Sequence, residues 1–212
     1  MSKIQEISAA VEAGKSKIIG GLVAEALAEG IDPVAILNEG MIDTLTRVGD
    51  KFQRNEIFVP EMLIAARAMK KGVEVLKPAL GEIGGAFIGK AIIGTVAGDL
   101  HDIGKNLVAM MIESAGFEVK DLGVNVPAER FVEAVEADPD VKIVAVSALL
   151  TTTMPAMRET VTALKASPAA GKFKVMIGGA PVSQGFCDEI GADAYTPDAA
   201  SAAQKAKELI GA

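Results

Sequence analysis

The sequence predicts an α/β protein in two parts, a bundle of four helices followed by a doubly wound domain built on a five-stranded parallel sheet. Three observations carry this expectation. Over roughly the first eighty residues, apolar side chains recur at the three- and four-residue spacing of amphipathic helices. From position 90 onward, short uninterrupted apolar runs alternate with amphipathic stretches, as expected of strands buried on both faces and separated by helices. Between the two patterns lies Gly81-Glu82-Ile83-Gly84-Gly85-Ala86-Phe87-Ile88-Gly89, whose four glycines read as a connector. The boundaries that follow are a helical domain over 1–84, a linker at 85–89 and an α/β domain over 90–212.

In order, Ile4, Ile7, Ala10 and Val11 mark a first helix that Gly14 can end. A second is expected over 15–29, with Ile18, Ile19, Leu22, Val23, Ala26 and Leu27 on its apolar face and Gly30 as its stop. Asp32-Pro33 is a start signal, because aspartate caps and proline suits the first helical position. The helix it opens carries Ile36, Leu37, Met41, Ile42, Leu45, Val48 and Phe52 and breaks at Arg54-Asn55-Glu56. A fourth is expected over 59–76, with Pro60 in its first turn and Pro78 just past its end; short connections favour an antiparallel bundle. Strands are then expected at 91–96, 117–122, 141–147, 173–177 and 192–195, with helices at 104–115, 128–137, 155–166, 182–190 and 199–210. This alternation is the doubly wound layout of flavodoxin-like and Rossmann-like domains. No internal repeat or low-complexity tract interrupts it.

Composition narrows the classes of function. Half of the 212 residues are hydrophobic, enough for a sizeable core, and there is no Trp and a single Tyr. A net charge of −7 argues against nucleic acid, whose phosphates call for a basic stripe. Cys187 is the only cysteine, so no internal disulfide and no Cys-based zinc site is expected, which suits a reducing compartment. Met1-Ser2-Lys3-Ile4 leads into an amphipathic pattern rather than a signal peptide, and no run approaches the ~20 apolar residues of a membrane span. The expectation is a cytoplasmic protein without a membrane or nucleic-acid partner.

In an open parallel sheet the ligand crevice lies outside the carboxyl ends of the strands. The loops expected there are Gly98-Asp99-Leu100-His101-Asp102-Ile103-Gly104, Ser147-Ala148-Leu149-Leu150-Thr151-Thr152-Thr153, Gly178-Gly179-Ala180-Pro181 and Thr196-Pro197-Asp198. The first carries His101, the only histidine in the chain. A metal-bound imidazole uses one nitrogen as ligand and needs an acceptor for its other N–H, and Asp99 is placed to be that acceptor. On its own, however, Asp-x-His is a short motif that better fits an exposed loop histidine beside an unrelated carboxylate. Gly178-Gly179 alone fits a tight turn, and Ser147 alone a satisfied strand-end hydroxyl.

Taken together, Asp99, His101 and Gly104, then Ser147 and Leu149, then Gly178 and Gly179 reproduce in order the Asp-x-His-x-x-Gly, Ser-x-Leu and Gly-Gly motifs of cobalamin-binding domains. Nearly the whole chain, helical part included, resembles the corrinoid protein of a methyltransferase system. It is similar to the cap plus cobalamin-binding module of cobalamin-dependent methionine synthase. The resemblance implies cobalamin or a related corrinoid bound base-off, with His101 as the lower ligand to cobalt and its only metal ligand from the protein. It implies that Asp99, with Ser147 extending the chain of hydrogen bonds, takes up a proton as cobalt loses axial ligands. Gly178 and Gly179 would let the nucleotide tail approach the backbone, which a Cβ would obstruct. Thr151 would supply a hydroxyl, and Gly98, Leu100, Asp102, Gly104, Leu149, Tyr195 and Ala199 would line the same pocket. The helical domain would cover the reactive face of the corrin. Phe52 and Val59 fall where the methionine synthase module uses Phe and Leu, so Val59 is a departure. Phe58 and Met62 are either neighbours of that cover or bundle core.

The implied activity is carriage of a methyl group on cobalt. A substrate methyltransferase acting on a methylamine, betaine, methanol or aryl methyl ether would load it. A methylcorrinoid:acceptor methyltransferase would pass it to tetrahydrofolate or coenzyme M, and a reductive activase is a third expected partner. No further substrate pocket is expected, so the chain reads as one component of an enzyme system, with the linker as the hinge of a movable cap. Two other cobalamin-binding classes are weighed against it. A carbon-skeleton isomerase subunit shares the Asp-x-His loop but lacks a helical cap, and a cobalamin-dependent regulator would bring a basic recognition helix that this acidic bundle does not offer. A phosphate-accepting receiver would need clustered acidic residues and a lysine at the strand ends.

Overall fold

The structure is a computed structural model that describes residues 2–80 and 87–212. It divides into two compact units, Met1–Phe87 with Ser114–Gly116, and Ile88–Glu113 with Phe117–Ala212. Positions 81–86 of the glycine-rich connector, and with them part of the expected linker at 85–89, lie outside the described residues.

In the helical unit, α1 (Lys3–Glu12) opens on a reciprocal cap in which Ser2 Oγ accepts from Gln5 N–H at 3.2 Å and Gln5 Oε1 from Ser2 N–H at 3.0 Å. Helix α2 (Ile19–Ala28) starts later than the expected position 15, because the chain turns through Ser16–Ile18 after Gly14. The third helix, α3, is continuous but not uniform: Pro33–Ala35 and Asp43–Gln53 are α-helical, and Ile36–Ile42 between them is a π-helical stretch. Asp32 caps it as the sequence predicts, accepting from Val34 N–H at 3.3 Å. Helix α4 (Val59–Leu80) runs through Pro78 instead of ending before it. A proline this close to the end removes one backbone bond, to the carbonyl of Glu74, and that residue is exposed to water. The bundle core is made of Ile7, Val11, Ile19, Val23, Ile36, Leu37, Met41, Leu45, Met62 and Leu76, all buried.

The second unit alternates β1 (Gly89–Thr95), α5 (Ile103–Ser114), β2 (Phe117–Asp121), α6 (Ala128–Ala137), β3 (Val141–Ser147), α7 (Met154–Ala166), β4 (Lys174–Gly178), α8 (Gln184–Ile190), β5 (Ala194–Tyr195) and α9 (Ala199–Ile210). Gly89, expected in the linker, is therefore the first residue of β1. The sheet order is β2-β1-β3-β4-β5 and every pair is parallel. Register decides what each face carries, because side chains alternate along a strand. Ile92, Val144 and Val175 align and pack with Phe131, Val161 and Leu164 into the main core on one side. Ile93, Ala145, Met176 and Ala194 align on the other side. Two residues further toward the carboxyl ends, Thr95, Ser147 and Gly178 form the next row of that face. Among the described residues no helix is long and apolar enough to cross a membrane.

Candidate functional site

The loop after β1 begins where the ladder stops. Thr95 N–H donates to Gly123 C=O at 3.0 Å, Val126 N–H to Thr95 C=O at 2.9 Å and Val96 N–H to Ser147 C=O at 3.0 Å. The neighbouring loops thus pair with the last residues of β1 and fix the take-off point. Gly98 then turns the chain in the left-handed region, φ +79°, where its missing Cβ removes the usual penalty.

Asp99 follows, with 0% of its surface exposed. Its Oδ1 accepts from His101 N–H at 3.0 Å and lies 2.6 Å from His101 Nδ1. Its Oδ2 accepts from Leu149 N–H at 2.7 Å, Thr153 Oγ1–H at 3.0 Å and, at the limit of reach, Leu150 N–H at 3.4 Å. Burial pushes this carboxyl up, but donors from Leu149, the His101 backbone and ring, and Thr153 outweigh it and hold Asp99 well below the usual carboxylate range. An ionised carboxylate on Nδ1 assigns the ring proton to Nδ1. Nε2 has no hydrogen-bond partner among the described residues, and the side chain is 49% exposed. Thr95 Oγ1–H donates to His101 C=O at 2.9 Å, so the backbone of the histidine is anchored as well as its ring.

Around the imidazole the surface is apolar. Leu100 is 72% and Ile103 86% exposed, and Leu149 and Leu150 are exposed beside them. Behind it opens a cavity of about 570 Å³ lined by the β1–α5 loop, α5, the ends of β3 and β4, and the start of α9. The register rows give it a gradient. Ile93, Ala145 and Met176 lie deeper along the strands, with Leu107, Val108 and Ala202 from the flanking helices, while Ser147, Gly178 and Thr196 stand toward the carboxyl ends. Lys105, nearly buried, also lines it, with its ammonium bonded to Asp121 and to Asn106 Oδ1 at 2.7 Å.

Of the residues singled out in the sequence, Leu100, His101, Asp102, Gly104, Ser147, Leu149, Gly178, Gly179 and Ala199 line this cavity. Gly98 and Asp99 support the loop from beneath it. Thr151 is exposed in a short 3₁₀ turn, Thr151–Thr153, and does not line it. Tyr195 packs against the main core of the opposite face, and its neighbour Thr196 takes the cavity side. The hydrogen-bond chain expected through Ser147 is corrected: among the described residues no bond joins Ser147 to Asp99, and Thr153 supplies the hydroxyl. A 3₁₀ turn spaces its side chains a third of a revolution apart, so of three consecutive threonines one faces the carboxylate.

The glycines separate by cause. At Gly179, φ +132°, a Cβ would stand 1.8 Å from Ala148 C=O, so glycine there is required by the chain itself. At Gly104 a Cβ would meet nothing within 4 Å, which leaves the cavity wall open. In the helical unit Phe52 is half-buried, Val59 and Phe58 are exposed, and Met62 is bundle core.

Chemically, the site offers one oriented imidazole nitrogen at an apolar mouth. Among the described residues no group of three or more His, Cys, Asp or Glu side chains is gathered for a metal. A metal at Nε2 must therefore bring its remaining ligands with it, which fits an ion enclosed in a macrocycle with a tail long enough to use the cavity behind.

A family model described as a B12 binding domain matches residues 89–205, and a second of the same description matches residues 3–77. The chain is 43% identical over 209 residues to dimethylamine corrinoid protein 1 of Methanosarcina acetivorans, covering 98% of this chain and 97% of that protein. It is 47% identical over 189 residues to trimethylamine corrinoid protein 2 of the same organism, covering 88% and 86%. Among solved structures it matches the methanol:cobalamin methyltransferase complex MtaBC of Methanosarcina barkeri with a TM-score of 0.89 and 29% identity, over 99% of this chain and 80% of that chain.

Proposed function

The chain belongs to the B12-binding family of corrinoid proteins, and on that premise we propose that it carries a methyl group between two methyltransferases on a corrinoid bound base-off over His101. The observation that carries the proposal is the Asp99–His101 pair, with Nδ1 held at 2.6 Å and Nε2 left free at an apolar mouth. When bound, a corrinoid supplies a cobalt centre that can accept and release a methyl group.

Each residue then has a task. His101 presents Nε2 as the lower ligand. Asp99 fixes the tautomer and ring direction, and its negative charge strengthens the imidazole as a donor. Because Asp99 is held ionised by its other donors, the shared proton resides on Nδ1. Thr153 and the Leu149 amide hold the Asp99 carboxylate in place and would keep it there with a corrinoid bound. Leu100, Ile103 and Leu149 exclude water beneath the macrocycle. The cavity behind takes the displaced nucleotide tail, with Ser147 and Gly178 toward its mouth.

The helical unit would serve as a cover for the reactive face of the bound corrinoid. The exposure of Phe58 and Val59, apolar side chains not spent on the bundle core, supports that role. The methyl donor is a methylamine, a choice supported by the two relatives named for dimethylamine and trimethylamine; methanol is the second reading, favoured by the structural match to the methanol complex. A reductive activase completes the set of partners.

The test loads the full chain with hydroxocobalamin and records its absorption beside that of His101→Ala. An imidazole-ligated, base-off spectrum is expected for the unaltered protein and its loss in the variant. Labelled mono-, di- and trimethylamine and methanol, each with its methyltransferase, then identify the donor. An unchanged spectrum together with undiminished methyl transfer in His101→Ala would sink the assignment.

A further inference from the structure

Asn125 lies in the loop between β2 and α6, outside every motif named above. It adopts a left-handed backbone, φ +54°, which asparagine tolerates better than most residues. From that position it bonds the histidine loop twice. Its Oδ1 accepts from Gly98 N–H at 2.7 Å, and its own N–H donates to Asp99 C=O at 2.9 Å. The two bonds bracket residues 98 and 99, the segment that delivers the carboxylate to His101.

Asp99 itself is also held, by its N–H to Val96 C=O at 3.2 Å and by the donors on its carboxylate, so Gly98 is the less constrained of the two. A Cβ built on Gly98 would meet a single side-chain atom within 4 Å, Thr153 Cγ2 at 3.6 Å, so hydrogen bonds rather than packing decide the shape of the loop there. The base of the Asn125 loop is fixed independently, by the Val96–Val126 bridge and the bond from Val126 N–H to Thr95 C=O. Asn125 is thus a clamp on Gly98 and Asp99 mounted on a fixed base outside the histidine loop.

We infer that Asn125 is a positioning residue for His101: by holding Gly98 N–H and Asp99 C=O it sets the direction of the Asp99–His101 pair and hence of Nε2. This rests on the reading of His101 as the cobalt ligand.

The test uses the full chain with Asn125→Gly and Asn125→Asp. Glycine keeps the left-handed backbone and the N–H to Asp99 and removes only the acceptor on Gly98. Aspartate keeps an acceptor of the same reach and tolerates the same backbone; position 125 is exposed, so its added charge is screened. Two quantities are read: amide exchange at Gly98 in the ligand-free protein, and the imidazole-ligated fraction in the absorption spectrum of bound aquocobinamide, which has no base of its own. Asn125→Gly is expected to speed Gly98 exchange and to lower the ligation constant about fivefold, the equivalent of one net hydrogen bond of ~1 kcal/mol. Asn125→Asp is expected to restore both. Faster exchange with unchanged ligation in Asn125→Gly, or no restoration by Asn125→Asp, overturns the proposal while leaving His101 as ligand. An unaltered protein whose spectrum equals that of His101→Ala overturns the ligand reading, and this inference with it.

Discussion

Replacing Thr153 with valine removes one hydroxyl at the centre of the site, which lies within reach of both Asp99 Oδ2 and, at 2.9 Å, Leu150 C=O. Valine keeps the shape of the side chain and removes the hydroxyl that donates to Asp99 Oδ2 at 3.0 Å. Both residues are buried, so water cannot replace the lost donor. A hydrogen bond to a charged group contributes about 1.5–3 kcal/mol, and the carboxylate keeps its bonds to His101 and Leu149. The expected loss is ~2 kcal/mol, or about 4–8 °C in the melting temperature of a chain this size. Its pH dependence has a defined sign. The folded Asp99 carboxyl is held below its unfolded value, so its contribution is present above the ordinary carboxylate pKa and is lost as pH falls below it. The unfolded chains titrate alike, so the deficit of Thr153→Val is full at neutral pH, is still full at pH 4, and shrinks only where the folded carboxyl itself takes up a proton. Denaturant unfolding of the ligand-free protein at pH 7 and at pH 4, beside Ser147→Ala as control, measures it. A deficit under about 0.5 kcal/mol at pH 7, one that has vanished by pH 4, or an equal deficit in Ser147→Ala would refute the reasoning.

Three further outcomes are expected. Asp99→Asn keeps the shape of the side chain but no longer fixes the tautomer, and should weaken imidazole ligation of a bound corrinoid about 10- to 100-fold in spectral titration. Ala145→Phe places bulk in the middle of the row Ile93–Ala145–Met176. It should weaken binding of complete cobalamin at least about tenfold while leaving tail-less cobinamide unaffected; equal weakening of both would show that the cavity does not take the tail. Gly179→Ala should destabilise the folded chain by more than about 2 kcal/mol, because its Cβ would stand 1.8 Å from Ala148 C=O at a positive φ, whereas Gly104→Ala should leave stability within about 0.5 kcal/mol. Parallel denaturation curves of the two variants check the contrast.

Much of this architecture was legible in the chain itself. The two hydrophobic periods are local properties, and they separated the bundle from the sheet and located every strand to within a few residues. Strand order was legible only as a class, since pairing is a non-local choice. The misread ends have local causes: the turn at Ser16–Ile18 delays α2, and exposure at Glu74 lets α4 continue through Pro78. The π-helical stretch Ile36–Ile42 had no signal, because it keeps the same apolar face as an α-helix. The motif loops were found because an open parallel sheet brings the carboxyl ends of its strands to one edge, whatever the sequence between them.

What the sequence by itself determined is therefore the chemistry at hand: a solitary histidine two residues after an aspartate, at the end of a buried strand, among glycine- and hydroxyl-rich loops. Only the tertiary structure decided who serves it. Thr153 and not Ser147 reaches Asp99, across 54 positions of chain. Thr196 and not Tyr195 faces the cavity. Asn125 grips the loop from a segment no motif marks. These placements are set by strand register, turn phase and loop geometry. A shift of one position reverses the face of a side chain without altering composition or periodicity.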